Sequence, residues 1–165
     1  LRSRMAKFGL ELEENKSRIV ESGRYLASLK AKRGESTRLG TFDFLGFTFY
    51  CGRTTKGNPW IMPKTSSKKF RQKVKEIKIW LYNNKEQKLG KLMYMLNVKL
   101  VGHYRYYGIS FNSRMISNYK QQVRELLYKV LNRRSEKKSY TREGFIEMMK
   151  YYKLVNPKIY YSLFC

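Results

Sequence analysis

The chain has 165 residues, 42% of them hydrophobic, enough to bury one full-sized core or two small ones and too many for a chain disordered throughout. Its 36 lysines and arginines face only 12 acidic side chains, a formal net charge of +24, and self-repulsion of that size predicts a polyanionic partner. Aromatic residues make up 15%, with 14 tyrosines, many beside basic residues. Basic groups neutralise phosphates and aromatic rings stack on unpaired bases, so the mixture favours RNA or single-stranded nucleic acid over an anionic membrane surface. No run is long and apolar enough to cross a bilayer, and no signal peptide is expected. Cys51 and Cys165 stand far apart without Cys or His companions, so neither zinc nor a disulfide is expected. That pattern suits a reducing compartment.

Leu1, Met5 and Phe8 recur at helical spacing and stop at Gly9, the pattern of a helix end with a glycine cap. Because the chain opens inside that helix, it is expected to be part of a larger protein. Leu10–Leu12 and Ser17–Val20 are expected as short strands around a turn at 13–16, and 21–40, polar, basic and glycine-containing, as a loop. Thr41–Tyr50 alternates aromatics as one strand, and Pro59–Pro63 returns as a second after the Gly57-Asn58 turn. Beyond Pro63 the period becomes helical. Phe70, Val74, Ile77 and Leu81 form one stripe. Leu89, Leu92, Met93, Leu96, Leu100, Tyr104 and Tyr107 form the next, and Ile116, Tyr119, Val123, Leu126, Leu127 and Val130 a third. Asn83-Asn84 and the segment from Gly108 to Asn112 break them, and a short helix follows over Thr141–Tyr152. The fold class is therefore α+β, a small β segment followed by a helical bundle.

Two-metal phosphoryl transfer needs clustered carboxylates, and this chain has one aspartate, Asp43, between two aromatics of a strand. Its glutamates are scattered among lysines. His103 is the sole histidine and reads as a packed helix residue without a second ligand or general base. Neither polymerase nor nuclease chemistry is expected of this chain alone, and no cofactor is expected in it.

The basic residues are patterned. Lys64, Lys68, Arg71, Lys75 and Lys78 follow steps of three or four and would share one face of the first long helix, set off from the Phe70–Leu81 stripe. A helix with one apolar and one basic face can dock on a core while lining a phosphate backbone. Lys129, Arg133, Arg134, Lys137, Lys138 and Arg142 form a second cluster, broken by Glu136. In Tyr104–Tyr107, aromatics flank Arg105, and Tyr106 is a candidate for stacking.

Taken in order, these motifs resemble the reverse transcriptase/maturase proteins of group II introns. Lys7–Leu12 with Asn15–Ile19 resembles the segment after that family's catalytic Tyr-x-Asp-Asp box. Phe42–Phe47 resembles its primer-grip segment, and Leu100–Gly108 the glycine–aromatic signature of its thumb helices, or domain X. Leu131–Tyr140 with Pro157–Ile159 resembles the end of the thumb. The family usually has Trp where His103 stands, and often where Arg142 stands. The resemblance implies a palm end at 1–63 and a helical thumb at 64–165, with fingers, catalytic aspartates and their magnesium elsewhere in the parent protein. It implies that Phe44, Leu45, Gly46 and Phe47 form the primer grip and that Lys16 lies near the incoming nucleotide's phosphates. The partner would be intron RNA or an RNA/DNA template–primer, together with the fingers and remaining palm. Two alternatives stay open: a free-standing RNA-binding maturase or assembly factor, and a subunit completing a separately encoded polymerase palm.

Overall fold

Apolar stripes on separate helices are stable only when they bury each other. The structure, a computed structural model, describes residues 2–11, 13, 20, 24–34, 40–54, 57, 59–133 and 139–163. Its elements are α1 (Arg2–Ala6), α2 (Arg24–Lys32), β1 (Phe42–Phe44), β2 (Phe47–Arg53), β3 (Pro59–Thr65), α3 (Ser67–Asn83), α4 (Leu89–Tyr107), α5 (Ser113–Asn132) and α6 (Arg142–Tyr151). The strands form an antiparallel sheet in the order β1-β2-β3, and α3 to α6 follow it, so the fold is α+β as the patterns predict. None of the described helices is long and apolar enough to cross a membrane. The chain divides into two compact units, Leu1–Phe42 with Tyr50–Ile61, and Asp43–Phe49 with Met62–Cys165.

In the first unit the chain leaves α1 through Gly9, whose φ of +66° is left-handed and whose N–H donates to the Ala6 carbonyl. Leu10 and Glu11 then run without strand pairing, against the expected strand. The second expected strand falls, Val20 apart, outside the described residues, as does Lys16. The expected loop over 21–40 contains α2 instead. Its Leu, Ala, Lys and Arg are good helix formers, and Gly34, at φ +68°, follows its end, so local propensity outweighs the polar composition that suggested a loop.

The single strand expected over Thr41–Tyr50 is two strands. Leu45 and Gly46, at φ +47° and +81°, make a two-residue turn between β1 and β2. Such hairpin turns match the twist of their strands but need left-handed backbone at both central positions, which glycine accepts and leucine resists. External bonds hold this turn: the Tyr106 hydroxyl donates to the Leu45 carbonyl at 2.9 Å, and the Ser66 N–H donates to the Gly46 carbonyl at 2.9 Å.

The helices of the second unit follow their stripes closely. The Ser66 hydroxyl accepts the Lys69 N–H at the start of α3, and the Thr141 hydroxyl accepts the Gly144 N–H at the start of α6. Ile77 and Leu81 of α3 are buried with six residues of α4, namely Leu92, Met93, Leu96, Leu100, Tyr104 and Tyr107. From α5 come Ile116, Tyr119, Val123, Leu127 and Val130, and from α6 Phe145 and Met148. Phe70, Val74, Leu89 and Leu126 pack at the margin of this core. Helix α5 packs against both α3 and α4. The Asn132 side chain exchanges hydrogen bonds with the backbone of Tyr140, which fixes the entry to α6.

Past α6 the chain returns to the end of α4. The Gly108 carbonyl accepts from the N–H groups of Tyr160 and Tyr161, and the Ser110 N–H donates to the Tyr161 carbonyl. This approach explains Gly108, since a Cβ there would lie 2.3 Å from the Tyr104 carbonyl oxygen and 2.4 Å from that of Lys158. Gly102, in the middle of α4, is the opposite case, because a Cβ there meets nothing within 4 Å. Gly108→Ala should lower stability by roughly 3 kcal/mol, as overpacking against backbone does. Gly102→Ala should raise it by up to about 1 kcal/mol through helix propensity. Chemical denaturation of the two variants tests this, and a Gly108→Ala protein as stable as its parent would refute the close approach of 158–161.

Candidate nucleic-acid interface

Helix α3 turns about 100° per residue, which places its buried stripe between two flanks of different make-up. On one flank Lys68, Arg71, Lys75 and Lys78 are all exposed, while Ile77 and Leu81 are buried and Phe70 and Val74 half-buried. The core face is therefore the one the apolar period predicts, with the basic stripe directed away from it. Lys64 is exposed too but does not belong to the helix, since α3 begins at Ser67 and Lys64 is a residue of β3. The strand's pleat, not the helical turn, sets its direction.

The other candidate residues scatter. Arg105 is exposed on α4, in a shallow groove with Val98, Val101 and Lys153. Arg133 ends α5, donates to the Tyr82 hydroxyl at 2.7 Å and lies over its ring, 5.9 Å from the centroid. Arg142 covers the Tyr128 ring in the same way at 5.4 Å. Arg134, Lys137 and Lys138 lie outside the described residues. Of the four primer-grip candidates, Phe47 is buried, Gly46 half-buried, and Phe44 and Leu45 exposed. Phe47 is the side chain of the four that is buried among the helices, tilted on Tyr107 at 5.3 Å and stacked on Tyr106 at 6.0 Å. A Cβ on Gly46 would come 3.2 Å from the Tyr107 hydroxyl, so the turn fits closely there.

The second flank of α3 carries what the sequence reading missed. With α4 and the Leu45–Gly46 turn it encloses a pocket of about 630 Å³. Lys69 and Lys73 enter it from α3 and Lys99 from α4, with Glu76 as the one acidic group among the described residues of its lining. The Lys99 ammonium lies 5.0 Å above the Trp80 ring. Tyr106, half exposed, lines another side with its hydroxyl tied to Leu45 and its ring against Phe47. Gly102, His103 and Tyr107 supply the rest of the α4 wall. A second basic row at Lys69 and Lys73 was visible in the helical spacing, but Lys99, Gly102 and the turn join it only through the fold.

The charges within this pocket are unequal. Lys73 pairs with Glu76 at 2.8 Å, and that hydrogen bond holds the carboxyl below its ordinary range, against desolvation, which acts in the other direction. His103 is 9% exposed and stacks on Tyr119 with centroids 3.7 Å apart. Burial first, and the nearby Lys73 charge second, lower its pKa to about 4, so the ring is neutral near pH 7. It is a packed helix residue, as its position in the α4 stripe predicts. Asp43 is exposed and accepts from the Thr48 hydroxyl. No three His, Cys, Asp or Glu side chains among the described residues come together to hold a metal ion.

The stack has a pH consequence. Unfolded, His103 takes up its proton near the ordinary 6.5, and folded only near 4. Between these values the unfolded chain binds more protons, so stability falls as pH drops through that window and this contribution is constant above and below it. The loss at about pH 4.5 should approach 2–3 kcal/mol relative to about pH 7. His103→Phe keeps an aromatic stack on Tyr119 and should remove that part of the acid sensitivity. Urea denaturation of both proteins at the two pH values measures the difference, and equal losses would contradict a buried, neutral imidazole.

Residues 67–152, just over half of the chain, match the family model described as the group II intron, maturase-specific domain. The match opens at the first residue of α3 and runs to the residue after α6, so it includes the helical core, both flanks of α3 and all three pocket lysines. Neither the curated proteins nor the solved structures contain a match. On the strength of that long match, the chain belongs to the family of group II intron maturases, whose maturase-specific domain forms its helices α3 to α6.

Proposed function

We propose that this chain is the palm-end and thumb part of a group II intron reverse transcriptase/maturase, and that its helices grip structured RNA or RNA/DNA hybrid. The maturase-specific domain implies a role in group II intron splicing and intron RNA as partner. The observation that carries the finer reading is the outward basic stripe of α3 on the first helix of that domain. A row of cations at helical spacing can follow a phosphate backbone whatever its sequence. An A-form helix offers it phosphates and 2′-hydroxyls across a wide minor groove. In this reading the Phe44–Phe47 turn is the primer grip, Lys16 attends the nucleotide phosphates, and magnesium belongs to a palm site built from other residues. The service performed is splicing, reverse transcription or both.

Changing Lys68, Arg71 and Lys75 together to Gln tests the proposal. Exposed charges alter stability by about half a kcal/mol or less each, so the melting temperature should barely move. Affinity for a structured intron RNA should fall, and the slope of log affinity against log salt should flatten by about one for each lost phosphate contact. Unchanged affinity and slope would reduce the stripe to solvated surface. Equal affinity of the parent for duplex RNA and duplex DNA would refute the preference for A-form helices.

A further inference from the structure

We infer that the pocket between α3, α4 and the Leu45–Gly46 turn receives a single unpaired nucleotide of a bound RNA, with the base over Gly102 against Tyr106 and the phosphate on Lys69 and Lys73. The inference rests on the RNA-binding reading above and adds a site of different chemistry on the other flank of α3. The pocket's 630 Å³ lies within the range of about 300–1,000 Å³ usual for sites that enclose a small ligand. Among the described lining residues three lysines against one glutamate leave a net positive charge that favours an anion; Lys73 shares its ammonium with Glu76, and Lys69 and Lys99 supply the excess. Tyr106 is a platform prepared in advance. Its hydroxyl is bonded to Leu45 and its ring backed by Phe47, yet half of the side chain remains exposed. A held aromatic ring beside lysines is the combination that binds an unstacked base and its phosphate.

Gly102 is the second, independent observation. It sits mid-helix, exposed, where glycine weakens a helix and where an added Cβ would touch no neighbour. Packing therefore gives no reason for glycine. A side chain there would stand at the rim that Gly102 forms between this pocket and the groove beside Arg105, and so would narrow the pocket's mouth. A flat base can approach the α4 backbone closely only while that position is bare. The outward stripe of α3 is a row of exposed cations and suits the continuous backbone of a paired helix.

Three RNA duplexes of one sequence test the inference: fully paired, with one bulged adenosine, and with an abasic bulge. The parent protein should bind the adenosine bulge about tenfold more tightly than the paired duplex, the effect of one stacked base, and the abasic bulge should lose most of that gain. A 2-aminopurine placed at the bulge should be quenched on binding. Gly102→Leu should melt no lower than the parent and bind the paired duplex equally well, but without preference for the bulge. The double variant Lys69→Gln, Lys73→Gln should lose the preference too, which keeps the test open should Gly102→Leu fold poorly. The Lys68, Arg71, Lys75 triple variant should weaken all three complexes alike and retain the preference. Equal affinity of the parent for bulged and paired RNA would overturn the pocket and leave the RNA-binding reading standing. A preference that survives Gly102→Leu and the double lysine variant would overturn its location, and binding to none of the RNAs would overturn both readings.

Discussion

The amide of Asn112 holds together the parts on which everything else in the helical unit is built. It is fully buried, and its hydrogen bonds join three elements, reaching from the start of α5 to β3 and α4. Its oxygen accepts the Thr65 N–H at 2.8 Å, and its nitrogen donates to the Thr65 hydroxyl at 2.9 Å and to the Tyr107 carbonyl at 2.8 Å. Thr65 ends β3, Tyr107 ends α4, and Asn112 itself is the residue from which α5 starts. A buried amide without partners costs stability, whereas one with both donors and its acceptor used holds a single arrangement. No apolar residue could tie a strand end to two helix ends in this way.

From that junction the geometry of the candidate site follows in short steps. Fixing Thr65 fixes Ser66, whose N–H seats the Gly46 carbonyl while its hydroxyl caps α3. Fixing the end of α4 places Tyr106 and Tyr107 under the same turn, one bonding the Leu45 carbonyl and the other meeting Phe47. The left-handed backbone that Leu45 resists is thus held by neighbours on α4 and α3, a local strain kept in place by tertiary contacts. One wall of the lysine pocket therefore depends on an asparagine that does not line it.

Local signals made most of the helical unit legible. The stripes from Phe70 to Leu81, Leu89 to Tyr107 and Ile116 to Val130 repeat at the helical period, and each is buried or half-buried in the structure. The breaks at Asn83-Asn84 and Gly108–Asn112 separate the helices where the sequence suggests. The turn at Leu45–Gly46 was hidden because alternation of aromatics continues on both sides of it, and a leucine is a poor signal for left-handed backbone. Helix α2 was hidden by basic composition. Asn112 could be read only as a loop residue, because its three bonds join positions 47 and five residues away. The grouping of Lys69, Lys73, Lys99 and Gly102 is a tertiary fact of the same kind. His103 was legible as core, but its partner Tyr119 was not.

The placement of charge around α3 then bears on how, in the function proposed above, one helix would both hold RNA and read it. Its buried stripe lies between the flank carrying Lys68, Arg71, Lys75 and Lys78 and the flank carrying Lys69 and Lys73. Cations of the first flank are exposed to solvent, where each contact is screened by salt and indifferent to base identity. Those of the second line a pocket beside aromatic rings, the site to which the inference above assigns an unpaired base. Contacts to phosphates position a nucleic acid, and contacts to bases distinguish one from another. On the reading proposed above, the open flank would supply most of the affinity, and the pocket would favour RNAs that present an unpaired nucleotide at the matching point. A fully paired helix could meet only the first condition. A folded intron, with bulges and loops at fixed distances along its helices, could meet both.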